Sequence, residues 1–152
     1  MVGRRYASGG PASQVKVYLD TTVVLRVLFH EPHPIPLWGK WETAYSSSLL
    51  RVEALRNVDG LRLTGRLSDL ELADLTGELQ IVYETLAVYP ITNRILQRAS
   101  ETFPTVVGTL DAIHMASALA VREFAALDLF LTHDSQLATV ARALGFAVMG
   151  SE

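Results

Sequence analysis

Cysteine is absent from the 152-residue chain, which removes disulfide scaffolds, thiol chemistry and Cys-ligated zinc. No stretch approaches the 18 consecutive apolar residues of a membrane-spanning helix. The opening MVGRRYASGGPASQ has basic residues but no apolar segment behind them, unlike a secretory signal. Neither standard glycine-rich phosphate loop occurs, and no G-x-S-x-G elbow of a serine hydrolase. A basic surplus is also missing: 13 bases face 16 acids, a formal net charge of −3, where nucleic-acid binders usually carry a basic footprint. Disorder is excluded in turn, because 49% of the residues are apolar and 19% charged. A chain of this length buries roughly 68–70% of its unfolded surface and suits one domain. The expected organisation is a flexible leader over 1–14 and a single soluble, cytoplasmic domain over 15–150.

Periodicity supplies the elements. Val15, Val17 and Leu19 alternate with Lys16 and Tyr18, a strand pattern over 15–19. An apolar stretch over 23–29 is long enough for two helical turns, and the prolines of 30–36 break it. A short strand is predicted over 45–48, then a helix over 49–58 with a serine N-cap. Ser68 and Glu71 stand as a capping box opening a helix to about residue 85, with Leu72, Leu75, Leu79 and Val82 on one face. Strands over 87–91, 127–132 and 146–149 alternate with helices over 92–103, 111–124 and 135–144. Strands alternating with helices imply a mainly parallel sheet with helices on both faces, whose functional groups gather beyond the carboxyl ends of the strands.

Four acids stand alone in apolar surroundings. Asp20 closes the first strand, Glu53 lies inside the helix after the second, Asp111 opens the most apolar helix, and Asp134 follows another strand end. Burying a lone carboxylate costs several kcal/mol unless it is compensated, and four converging carboxylates repel unless a cation lies between them. A hard divalent ion such as Mg²⁺, which takes carboxylates and waters, suits that set. Each acid has a plainer reading beside this one: Asp134 as an N-cap, Asp111 as a favourable charge at a helix start, Asp20 as an Asx turn, Glu53 on a solvated face. Setting the four aside leaves 12 acids against 13 bases, so the remaining surface is near neutral.

The run V-K-V-Y-L-D-T-T-V-V-L, followed by S-S-L-L-R-V-E-A-L-R, L-D-A-I-H-M-A-S-A-L and L-T-H-D-S-Q-L-A-T-V-A-R-A-L-G-F, resembles the four motifs of PIN-domain ribonucleases, in order, along 15–146. Within that family it looks like the VapC toxins of toxin–antitoxin modules. The resemblance implies a three-layer α/β/α sandwich and a metal-dependent endoribonuclease. Asp20, Glu53, Asp111 and Asp134 would hold Mg²⁺ or Mn²⁺, and the hydroxyl of Thr132, and of Thr21 or Thr22, would orient water or phosphate. It further implies a VapB-type antitoxin, with the helix from Ser68 and nearby Leu67 and Leu70 as a docking surface or simply an outer layer, and a homodimer. His114, three residues after Asp111, either touches substrate phosphate or is a satisfied core histidine. Arg26, Arg51 and Arg56 flank the motifs, as phosphate contacts or as solvated charges.

Other chemistries fit less well. His30-Glu31-Pro32-His33 has the wrong spacing, and a proline, for a helical zinc-protease motif. Thr22 stands where a haloacid-dehalogenase-type phosphatase needs a second aspartate. Two alternatives remain: a PIN fold that only binds, which predicts losses among the four acids, and a DNA-directed nuclease with the same chemistry.

Overall fold

The computed structural model describes residues 14–151; apart from Gln14, the expected leader lies outside them. Five strands form one all-parallel sheet: β1 (Lys16–Leu19), β2 (Thr43–Ser47), β3 (Ala87–Tyr89), β4 (Leu129–Leu131) and β5 (Val148–Met149), in the order β3-β2-β1-β4-β5. Six helices are described: α1 (Thr21–Leu28), α2 (Leu49–Leu63), α3 (Asp69–Thr85), α4 (Asn93–Ala99), α5 (Thr109–Arg122) and α6 (Ser135–Ala143). The expected three-layer α/β/α class is the observed one. None of the helices is long and apolar enough to cross a membrane.

β1 is the central strand, paired with β2 on one side and β4 on the other. The alternation read in its sequence marks two faces, and both are covered: Val17 and Leu19 enter one apolar cluster with Val23, Leu50 and Leu131. Tyr18 enters another with Met115, Phe130 and Leu137. A parallel sheet flanked by helices has no wet face, so Tyr18 is as buried as its neighbours.

Several boundaries move. α1 starts directly after Asp20, and α2 runs to Leu63 rather than stopping near residue 58. Ser48 does not cap α2 with its side chain; Ser47 Oγ instead accepts from the Leu49 amide at 3.1 Å. The capping box on α3 is present, with Glu71 N–H donating to Ser68 Oγ and Ser68 N–H to Glu71 Oε1. Leu79 and Val82 carry the buried contact of α3, while Leu72 and Leu75 are half-buried. Where the chain leaves α1, Glu31 N–H reaches the Arg26 carbonyl and His30 N–H the Val27 carbonyl, with His30 at φ 52°. That is a Schellman ending with histidine in the left-handed position usually given to glycine.

Candidate active site

The strand order reverses direction at β1, which places the switch point of the sheet between β1 and β4. Asp20 is the first residue beyond β1. Asp134 lies three residues beyond β4 as the N-cap of α6. Glu53 is one turn into α2, which starts almost directly from the end of β2. Asp111 is in the first turn of α5. Three of the four thus follow a strand's carboxyl end, and all four come to one edge of the sheet.

Asp20 is 2% exposed. Thr22 Oγ1 donates to its Oδ1 at 2.6 Å and Thr132 Oγ1 to its Oδ2 at 2.8 Å. Burial pushes the Asp20 carboxyl up; the attraction of His114 and these two hydroxyls oppose the rise without cancelling it. Thr132 also accepts the Asp134 amide at 3.0 Å, so one hydroxyl ties the β1 end to the start of α6. The amide of His133 donates to Thr22 Oγ1 at 3.0 Å and closes the same seam.

Asp134 has the capping role offered as its plainer reading: its Oδ1 accepts from the amides of Gln136 and Leu137. Its charge nonetheless reaches Asp111. Burial raises the Asp111 carboxyl, and repulsion from Asp134, then Asp20, takes it further, to about 6, against some relief from His114. One side chain thus both caps α6 and acts by its charge on Asp111.

Glu53 does not turn toward the other three acids for its hydrogen bonds. Its Oε1 accepts from Thr21 Oγ1 at 2.6 Å and meets His114 Nε2 at 2.7 Å. Burial pushes Glu53 up, but the hydrogen bond and attraction of His114 and the Thr21 hydroxyl outweigh it and hold the group below its ordinary value. His114 is 1% exposed, and its Nδ1 meets the Tyr18 hydroxyl at 2.9 Å. It is therefore a satisfied core histidine, as the plainer reading had it, whose satisfaction comes from a site acid. Burial drives the Tyr18 phenol well above its usual value, so it remains a neutral hydroxyl.

Of the two hydroxyls offered as alternatives, Thr22 is the one on Asp20, and Thr21 bonds Glu53 instead. Arg26 is 3.9 Å from Glu31, Arg56 pairs with Asp59 at 2.9 Å, and Arg51 is exposed. Among the described residues no group of three or more His, Asp or Glu side chains is placed to hold one metal ion between them. Tyr18, and His133 with its Nδ1 on the Gly150 carbonyl at 2.8 Å, are the contributors sequence reasoning missed. For Tyr18 a signal existed, a phenol in the middle of a central strand, which needs a buried polar partner.

The PIN domain family model matches residues 17–143. This chain belongs to the PIN domain family. As a PIN domain it is 29% identical over 137 residues to Ribonuclease VapC47 of Mycobacterium tuberculosis, covering 86% of this chain and 93% of that protein. It is also 29% identical over 136 residues to Ribonuclease VapC46 of the same organism, covering 88% and 95%. Among solved structures it is similar to VapBC2 from Rickettsia felis, crystallised bound to a DNA fragment from their promoter. That match has a TM-score of 0.60 at 15% identity, over 88% of this chain and 97% of the other, and shows the fold.

Proposed function

We propose that this PIN domain is a Mg²⁺- or Mn²⁺-dependent endoribonuclease, the toxin of a type II toxin–antitoxin pair, acting on RNA in the cytoplasm. One observation carries the reading. Asp20, Asp111 and Asp134 have no Lys or Arg ion-pair partner among the described residues, and Glu53 has only His114. Carboxylates close enough to raise Asp111 among them, at a sheet's switch point and without a Lys or Arg partner, call for a cation from outside.

The donor set fits a hard divalent ion, since all four groups are carboxylates. Mg²⁺ commonly takes only one or two of them directly and fills its sphere with water, which suits acids spread along an edge. Asp20, Glu53, Asp111 and Asp134 would share that task. When bound, such an ion lowers the pKa of a water and stabilises charge building on the phosphate. The chain's own part is positional. Thr22 and Thr132 fix both oxygens of Asp20, and the α6 cap uses only Oδ1 of Asp134. Asp111 is the carboxyl that changes charge near neutral pH.

The names of the two mycobacterial relatives support RNA as substrate; the antitoxin partner follows from the family resemblance. A groove of about 990 Å³ opens beside α3, with Leu61, Leu67 and Leu75 among its lining and both arginines (Arg56, Arg66) and acids such as Glu71 and Asp74 around them; outside it, Leu70 is 80% exposed. This favours the docking reading of α3. The homodimer rests on the family resemblance.

The test is cleavage of a mixed RNA pool by wild-type protein and Asp20→Asn, each with Mn²⁺ and with EDTA. Wild type is expected to cut only with metal, and Asp20→Asn to lose about 100-fold or more. Cutting of DNA but not RNA would transfer the same chemistry to another polymer. Equal, absent cleavage in all four conditions would favour a silent binding module.

A further inference from the structure

Tyr18, His114 and Glu53 come from β1, α5 and α2 and form one buried chain of hydrogen bonds. For the neutral ring, donor accounting sets its direction; the protonated ring, whose charge attracts the acids, donates from both nitrogens. An ionised carboxylate only accepts, so at 2.7 Å from Glu53 Oε1 the His114 Nε2 must carry a hydrogen. In the neutral ring Nδ1 is then the acceptor, and at 2.9 Å the Tyr18 phenol donates to it. The nearby serine hydroxyls have other acceptors: Ser46 donates to the Leu19 carbonyl and Ser117 to the Ile113 carbonyl, each at 2.7 Å. The Tyr18 and His114 rings meet edge to face at 78°, their centroids 6.0 Å apart, so packing fixes the ring plane as well.

At the Glu53 end both donors, Thr21 and His114, fall on Oε1, and Oε2 has no hydrogen bond among the described residues. The glutamate side chain is 18% exposed, while the histidine is closed to solvent. A long, three-torsion side chain is thereby anchored through one oxygen, with the other left for a ligand.

We propose that His114 is a positioning residue, oriented by Tyr18, that pins Oε1 of Glu53 and leaves Oε2 as the oxygen offered to a divalent cation or its water. The inference rests on the reading of Glu53 as a metal-site residue. Hydrogen-bonding partners of ligating carboxylates typically alter metal affinity or activity by 10–100-fold when removed.

Two readouts test it. In the metal-free protein, ¹⁵N spectra at a pH where the ring is neutral are expected to show His114 as the Nε2–H tautomer, with Tyr18→Phe changing mainly the Nδ1 resonance. An Nδ1–H tautomer would overturn the relay. Mn²⁺ alone, titrated by EPR, is expected to bind about 10-fold more weakly to Tyr18→Phe, whose side chain never touches Glu53, and up to about 100-fold more weakly to His114→Ala. His114→Gln, which restores an N–H donor, should recover part of that loss. Cleavage should fall at limiting Mn²⁺ and return at saturating Mn²⁺, a split that a merely loosened core would not give. If wild type binds Mn²⁺ and Tyr18→Phe and His114→Ala bind it equally well, the positioning role is wrong while the nuclease reading stands. If wild type binds no Mn²⁺ and cuts no RNA, the nuclease reading fails, and the ring-nitrogen spectrum alone decides the relay.

Discussion

Asp134 performs two tasks that single substitutions can separate. Its Oδ1 caps α6 through the Gln136 and Leu137 amides, and its charge helps hold Asp111 up at about 6. Asparagine keeps the capping oxygen and removes the charge; alanine removes both. Asp134→Asn is therefore expected to retain stability within about 0.5 kcal/mol, and Asp134→Ala to lose about 1 kcal/mol, or about 3 °C in Tm for a chain this size. Both should bring Asp111 down toward its ordinary value by carboxyl NMR, and both should lose Mn²⁺-dependent cleavage to a similar degree. Equal stability of the two variants would show that the cap contributes nothing. An unmoved Asp111 would show that the two acids do not interact. The four acids were legible because each stood alone among apolar neighbours. The bonding of Glu53 to His114 was not, because the two lie 61 positions apart and only the packing of α2 against α5 joins them.

At the scale of elements, the shortest strand leads into a glycine with little room for a side chain. β5 holds two residues, yet its Met149 carbonyl accepts the Thr132 amide at 3.1 Å. The next residue, Gly150, sits at φ +109°, where a Cβ would lie 2.5 Å from the Thr132 carbonyl oxygen. No side chain fits there without moving the segment that holds Thr132, His133 and Asp134. Gly150→Ala is expected to cost about 1–3 kcal/mol and to speed hydrogen exchange at the Thr132 amide ahead of the β1 amides. Uniform exchange throughout the sheet would show that the strain is not local. Sequence identified all five strands and six helices by type, since the apolar periods of β1, α3, α5 and α6 are strong. It missed ends where tertiary contact decides them: α2 continues to Leu63 over a polar surface that no apolar period marks, and α4 stops at Ala99 although the pattern carried it to residue 103. Gly150 gave no local signal, because its constraint comes from a strand 18 residues away.

For the molecule as a whole, an all-parallel sheet collects its strand ends, and with them its isolated acids, at one edge, so stability and cation binding are linked to pH. Asp111 has a folded value of about 6 against an ordinary 3.8. Between those values the folded protein keeps a proton the unfolded chain has lost, so stability falls as pH rises from about 4 to about 6. Asp20, raised chiefly by burial, acts in the same direction. Glu53 is lowered; its contribution is present above its ordinary 4.5 and lost as pH falls through the lower folded value. The metal-free protein should therefore be most stable near pH 4 where these groups decide, with Tm declining as pH rises to about 6. Asp111→Asn should flatten that decline and gain about 1 kcal/mol at pH 7 once solvent screening is allowed for. Mn²⁺ should reverse it: a cation that binds only the folded state adds about 2.7 kcal/mol at 100 times its Kd, and more at pH 7 than at pH 5 because the carboxylates must be deprotonated to bind. Thermal melts of wild type and Asp111→Asn from pH 4.5 to 7.5, with EDTA or with Mn²⁺, check all of this together. A wild-type Tm indifferent to Mn²⁺ at pH 7 would mean that the gathered carboxylates are not a cation site. An equal Mn²⁺ gain in the variant would remove Asp111 from it.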